Sequence, residues 1–247
     1  MVPMSPAMTF TGQAISIKSR RETPRRSRKP FTIFACLKQE SARNPAPAVS
    51  PLKERLLSGI DNLDRGLSID PDADTMTPEE ADVEDLIEEL EDNYPPQVPT
   101  KDPRNSGSWR LKYTSSSITR YFGGVTGLQR LLPNASVGEI IQEIDSEGGK
   151  CMFSEKISFE VPIVGNEVCL DIRIEGRMRA ASEERQLWEP ESVKCGVFSW
   201  FADSWKTFRA FQVADITYLD DELRITRGQT GSVSVFQKAL SDDDKVG

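Results

Sequence analysis

The chain contains no histidine. That absence removes Ser-His-Asp and Cys-His nucleophile systems and every metal site built on imidazole. Cysteine is scarce too. Cys36, Cys151, Cys169 and Cys195 are the four present, too scattered for a CxxC zinc or redox motif. Isolated strand cysteines read as small core residues; a redox pair between Cys151 and Cys169 is the rival reading. No stretch approaches the ~18 consecutive apolar residues of a membrane-spanning helix, so the membrane contact expected is peripheral. Positive charge is short as well, with a formal net of −8 over 247 residues. Seven Lys/Arg and a single acid, Glu22, stand in the first 35 residues; beyond them 24 basic and 38 acidic side chains leave a net of −14. A body that acidic is ill suited to nonspecific nucleic-acid binding, which needs cations to displace phosphate counterions.

What is present begins with an address. Residues 1–35 are rich in Arg, Ser and Thr and nearly free of acids, the composition of an organelle transit peptide. The stretch TIFAC reads as a plastid processing site near Ala35–Cys36, with a mitochondrial leader as the alternative. A disordered basic tail fits less well with the abrupt charge reversal that follows. Residues 36–49 form a linker ending in NPAPAV.

Residues 50–93 read as a pair of amphipathic helices. Ser50 and Pro51 supply an N-cap and a proline at the first helical position. Leu52, Leu56, Ile60 and Leu63 follow at helical spacing, and Gly66 is the expected stop. The second helix starts at Thr77-Pro78, with Glu80 completing a capping box. Val83, Leu86, Ile87 and Leu90 form its apolar stripe. Between Asp70 and Asp92 stand twelve acids and no Lys or Arg. No DxDxDG calcium loop is among them; the acids read as a solvated face or as a surface for a protein partner. A proline-rich linker spans residues 94–106.

From Gly107 the apolar period changes from 3.6 to 2. Trp109, Leu111 and Tyr113 share one face. Cys151, Phe153, Ile157, Phe159, Val161 and Ile163 share another, and Val168, Leu170, Ile172, Ile174 and Met178 follow after a Gly165-Asn166 turn. Two long strands joined in this way make a β-hairpin. Further strands are expected at Val137–Ile144, Ser192–Ser199, Gln212–Tyr218, Glu222–Arg227 and Ser232–Lys238. About eight strands without βαβ alternation predict an antiparallel sheet over residues 107–240, closed into a barrel that removes its edges. Residues 241–247 are an acidic tail.

The segment DELRITRGQTGSVSV tests for catalysis. Its glycines lack the following helix and Lys-Ser/Thr of a phosphate loop. Asp220 and Asp221 are adjacent, so they point apart and make no acid/base pair. The segment reads as a hairpin, with Arg227 sharing the parity of the inward Leu223 and Ile225. Carboxylate chemistry at Asp145, Asp220 or Asp221 is the only catalytic route the sequence offers; no catalytic, metal or cofactor residue is assigned.

The helix pair ending in LIEELEDNYPPQVP, with GSWRLKYTSS, VGEIIQEID and YLDDELRITRGQTGSVSVF, resembles the plastid lipid-associated (PAP/fibrillin) family over residues 52–238. The resemblance implies a lipocalin-like barrel in a noncatalytic plastid protein at plastoglobules or thylakoids. Its partners would be carotenoid, prenylquinone or similar lipids and a peripheral membrane or lipid-droplet surface. A scaffold that assists a plastid isoprenoid or quinone enzyme through its acidic helices is the second reading. Gly107-Ser108-Trp109 is similar to the GxW of lipocalins, and the resemblance pairs Trp109 with Arg227 as a barrel closure. Candidate lipid-lining residues are Trp109, Tyr113, Phe153, Ile157, Phe159, Leu170 and Ile172, though the same set describes a filled core. In GVFSWFADSWKTFRAF, residues Trp200, Phe201, Trp205 and Phe208 read as core, as a membrane or lipid-droplet contact near Lys206 and Arg209, or as a gate at the barrel mouth.

Overall fold

The computed structural model describes residues 49–70, 75–93, 98–132, 134–161 and 166–239. The expected leader, nearly all of the 36–49 linker, the Gly165 turn position and the acidic tail lie outside the described residues.

Two helices open the described chain, α1 (Val49–Asp61) and α2 (Pro78–Asp92), with a 3₁₀ turn at Asp64–Gly66 between them. Thr77 Oγ1 accepts from the Glu80 amide at 3.2 Å and Glu80 Oε2 accepts from the Thr77 amide at 3.1 Å, so the capping box forms. Gly66 has φ +79°, and a Cβ there would lie 2.3 Å from the Thr114 carbonyl oxygen. Only glycine lets the chain turn this close to the sheet.

Nine strands follow among the described residues: β1 (Gly107–Thr114), β2 (Ser136–Asp145), β3 (Lys150–Val161), β4 (Asn166–Ala180), β5 (Arg185–Cys195), β6 (Phe198–Phe201), β7 (Val213–Leu219), β8 (Leu223–Gly228) and β9 (Val233–Lys238). A short helix, α3 (Ser117–Phe122), follows β1. Antiparallel pairing runs β1–β2–β3–β4–β5–β7–β8–β9 and returns from β9 to β1, closing an eight-stranded barrel. Sequential antiparallel neighbours in a closed ring make an up-and-down barrel of the lipocalin kind. β6 stands outside the ring as a hairpin arm on β5.

The strand expected at Ser192–Ser199 is in fact two elements. It joins the end of β5 to the start of β6 across Gly196, which turns at φ +57°. Most of β5 was hidden because RQLWEPESVKC mixes acids and a proline into its alternation. Pro190 sits where the β4–β5 register shifts, at a bulge that tolerates the missing N–H.

Two apolar cores share the sheet. One fills the barrel; the other lies between the outer face of β1, β7, β8 and β9 and the helices. Leu56, Ile60, Ile87 and Leu90 come from α1 and α2, and they meet Tyr113, Tyr218, Leu223, Ile225, Val233 and Val235. Bulges set which residue faces which core. An irregularity between Leu111 and Tyr113 leaves Trp109 and Leu111 inside and turns Tyr113 outward under the helices. A second, between Ile216 and Tyr218, does the same on β7.

Candidate functional site

The barrel interior is filled with side chains. Trp109, Leu111, Phe153, Ile157, Ile172, Ile174, Trp188, Phe208 and Phe236 pack there without appreciable exposure. The aromatics interlock: Phe153 lies 4.7 Å from Trp188 and 5.0 Å from Phe211, ring centre to ring centre. A cavity lined by part of this cluster measures about 20 Å³, the scale of one water and far below a lipid. Phe159 and Leu170 are only partly buried, toward the Val161–Asn166 end of the β3–β4 ladder. Tyr113 leaves the proposed lining altogether: the β1 bulge places it against the helices, where its hydroxyl accepts from Arg120 Nη2 at 3.2 Å. Burial pushes that phenol up to about 12.

Arg224, not Arg227, closes the barrel over Trp109. Its guanidinium carbon lies 5.2 Å from the indole centre and 4.6 Å from the Phe236 ring centre. Nη1 donates to Asn105 Oδ1 at 3.2 Å and Nη2 donates to Gln142 Oε1. Burial pulls its pKa down to about 9, still above neutrality, so the group stays cationic. Arg227 instead points out to α2 and makes a two-pronged pair with Glu91, Nε to Oε1 at 2.9 Å and Nη2 to Oε2 at 2.8 Å. The parity inverts because β8 is buried on both faces. Leu223 and Ile225 face the helices, while Arg224 and Thr226 face into the barrel.

A buried carboxylate holds the other end. Glu155 shares the inward parity of Phe153 and Ile157 and is fully buried. It accepts from the amides of Val125 at 2.7 Å and Thr126 at 3.0 Å, and from the Thr126 hydroxyl. Desolvation raises its pKa. A Cβ at Gly124 would lie 2.1 Å from Glu155 Oε1, so this glycine lets the loop close on the carboxylate.

Two of the carboxylates considered for catalysis, Asp220 and Asp145, make hydrogen bonds within the scaffold. Asp220 accepts from the Tyr218 hydroxyl at 2.7 Å, from the amides of Glu222 and Leu223 at 2.8 and 2.7 Å, and from Lys53 Nζ at 2.9 Å. It ties α1 to the β7–β8 turn. Asp145 Oδ1 accepts from the Gly148 amide in the β2–β3 turn, and Asp221 is exposed. Cys151 pairs across β3–β4 with Gly176 and Cys169 with Ser158. Seven ladder positions, roughly 23 Å at ~3.3 Å each, separate the two sulfurs, so the redox pair does not form.

The exposed apolar surface is concentrated in one place. The β5–β6 hairpin exposes Val197 at 94%, Phe198 at 64%, Trp200 at 49% and Phe201 at 84%. Among the described residues seven large apolar side chains are exposed, and four of them stand in these five positions. Phe198 and Trp200 stack with ring centres 5.9 Å apart. The arm is anchored: Val193, opposite Trp200, is buried, and Trp205 stacks on buried Phe208 at 5.5 Å. Phe208 is therefore core and not surface contact, while Trp205 is its half-buried cover. Lys206 and Arg209 are exposed beside a groove of about 470 Å³ lined also by Trp188, Pro190, Trp205 and Gln212.

Sequence reasoning missed Glu155 and Arg224. The alternation of β3 already marks Glu155 as inward. Arg224 becomes visible only once the helices are known to cover β8.

The PAP_fibrillin family model matches residues 50–180 and 209–237. A chromoplast-specific carotenoid-associated protein C1 from an Oncidium hybrid cultivar is 28% identical, over 93% of this chain and 82% of its own. A probable plastid-lipid-associated protein 8, chloroplastic, from Arabidopsis thaliana is 27% identical, over 74% of this chain and 70% of its own. A lipocalin-like protein from Bacteroides uniformis aligns with 55% of this chain at 9% identity and TM-score 0.26.

Proposed function

We propose that this chain, which belongs to the PAP_fibrillin family, is a noncatalytic plastid lipid-associated protein that meets its lipid at the β5–β6 hairpin. The plastid and lipid parts of this reading are supported by relatives named as carotenoid-associated and plastid-lipid-associated proteins. The observation that carries the hairpin part is the exposed run Val197, Phe198, Trp200 and Phe201 on an arm outside the barrel. Contiguous exposed apolar surface marks an interaction site. Trp205 beside Lys206 and Arg209, in the segment that follows the hairpin, suits the boundary between polar headgroups and acyl chains. A filled interior speaks for a surface contact over an enclosed cargo. Plastoglobule or thylakoid lipid is then organised from outside.

The test is co-sedimentation with phosphatidylcholine vesicles, with and without phosphatidylglycerol, comparing the wild type with Phe198→Ser/Phe201→Ser. Each buried aromatic is worth roughly 1.5–3 kcal/mol at full burial, and partial insertion retains part of it. The variant is expected to bind about 10–100-fold more weakly with an unchanged melting temperature. Equal binding by both proteins would remove the hairpin from the account.

A further inference from the structure

The barrel floor holds a cation with no ion-pair partner among the described residues. Arg224 is 1% exposed, and both its hydrogen-bond partners, Asn105 and Gln142, are neutral amides. No carboxylate among the described residues forms an ion pair with it, and its Nε meets no acceptor there. A second cation stands close by. Lys238 Nζ lies 4.3 Å from the centre of the same Trp109 ring and donates to the carbonyls of Arg104 and Ser106. Asp102, in the adjoining 3₁₀ turn, is already held by Arg104 at 2.6 Å. The indole Nε1 of buried Trp188 is another donor without an acceptor.

Arg224 and Trp188 line the same internal cavity of about 20 Å³, with Gln142, Gln186, Thr226 and Phe236. That volume is on the scale of one water and favours a monatomic anion over a carboxylate, sulfate or phosphate. A buried guanidinium keeps its proton, and an isolated buried charge is costly unless it is paired. A water would satisfy donors but leave the charge. We propose that this cavity is a binding site for one halide-sized anion, with chloride as the ligand, held by Arg224 Nε–H and Trp188 Nε1–H. The bound ion neutralises the barrel floor and ties the stability of the fold to halide concentration. This inference does not depend on the hairpin reading.

Crystals of the protein grown with sodium bromide, measured at the bromine absorption edge, are expected to show an anomalous peak between Arg224 and Trp188. No peak, with a water refined in the cavity, overturns the proposal. In solution, the melting temperature is compared in sodium chloride and in sodium gluconate at equal ionic strength. Chloride at several times its Kd is expected to raise it by about 2–4 °C. Trp188→Phe, which keeps an aromatic ring but lacks the indole N–H, is expected to lose most of that difference, and Arg224→Met all of it. Should Arg224→Met fail to fold, the Trp188→Phe comparison and the bromide peak still decide. Equal melting temperatures in the two salts for the wild type overturn the proposal.

Discussion

Trp109, Trp188, Phe153 and Phe236 keep no more than 2% of their surface, whereas Val197, Phe198, Trp200 and Phe201 keep between 49% and 94%. Both groups are apolar; the first stands on barrel strands, the second on β6 and the turn before it. They differ in what surrounds them. The first group is enclosed by a ring of eight paired strands and packs upon itself. The second stands on a strand outside that ring, rooted through Val193 and Trp205. A barrel of eight strands leaves an interior just wide enough for side chains or one small ligand. Here the aromatics take that space, and the exposed apolar surface stands on the arm, where we propose that the lipid docks. The barrel is the rigid mount.

The largest effect expected from breaking this contrast is on the enclosed side. Trp109→Ala removes a fully buried ring and the platform of Arg224, and should cost about 3–5 kcal/mol in denaturant unfolding. Phe201→Ser on the exposed side should stay within about 0.5 kcal/mol of wild type in the same assay. Next comes the helical cover. Lys53→Met removes the cation between Asp220 and Glu222, whose Oε2 it also meets at 2.6 Å. It should cost about 1–3 kcal/mol, measured by urea unfolding. Asp220→Asn should approach it.

A smaller effect is a pH dependence centred on Glu155. Its pKa is raised in the folded state by desolvation, so between the unfolded value, about 4.5, and the higher folded value the native state holds the extra proton. Stability from this group is therefore full below the unfolded pKa and falls as pH rises through the folded one. Asp220 runs the other way: its pKa is lowered, so its contribution is present above the unfolded value and is lost as pH falls through the folded one. Comparing wild type with Glu155→Gln from pH 4 upward, by thermal unfolding at ~1 pH-unit steps, should show the decline in wild type and a flatter profile in the variant. The smallest expected change is Arg227→Ala, which breaks a half-buried pair with Glu91. It should cost no more than about 1 kcal/mol, well below Arg224→Ala. That ordering separates the residue that closes the barrel from the one that fastens a helix.

The long regular pieces were legible. The capping box at Thr77, the stripe of α1 and the alternation of the β3–β4 hairpin are local signals, and each predicts its element from a few side chains. The facing of β8 and β9 was not. A strand covered by helices outside and by core inside loses the one-sided alternation on which inward and outward are assigned. Leu223 and Ile225 thus read as barrel lining, and Arg227 with them. Tyr113 was misplaced for a related reason: one bulge residue flips every later side chain to the other face. The hairpin arm stood out as an aromatic cluster, but its division into buried Phe208, half-buried Trp205 and exposed Phe198, Trp200 and Phe201 depends on contacts with β5 and the barrel.

The most direct test of a sealed barrel with an external lipid contact is lipid capture. The protein is incubated with a total plastid lipid extract and re-purified without detergent, and the bound species are weighed by mass spectrometry. The account predicts no lipid at near-stoichiometric amount in either the wild type or Phe198→Ser/Phe201→Ser. One dominant lipid retained at near one per chain by the hairpin variant would contradict it, because that molecule would have to sit inside the barrel.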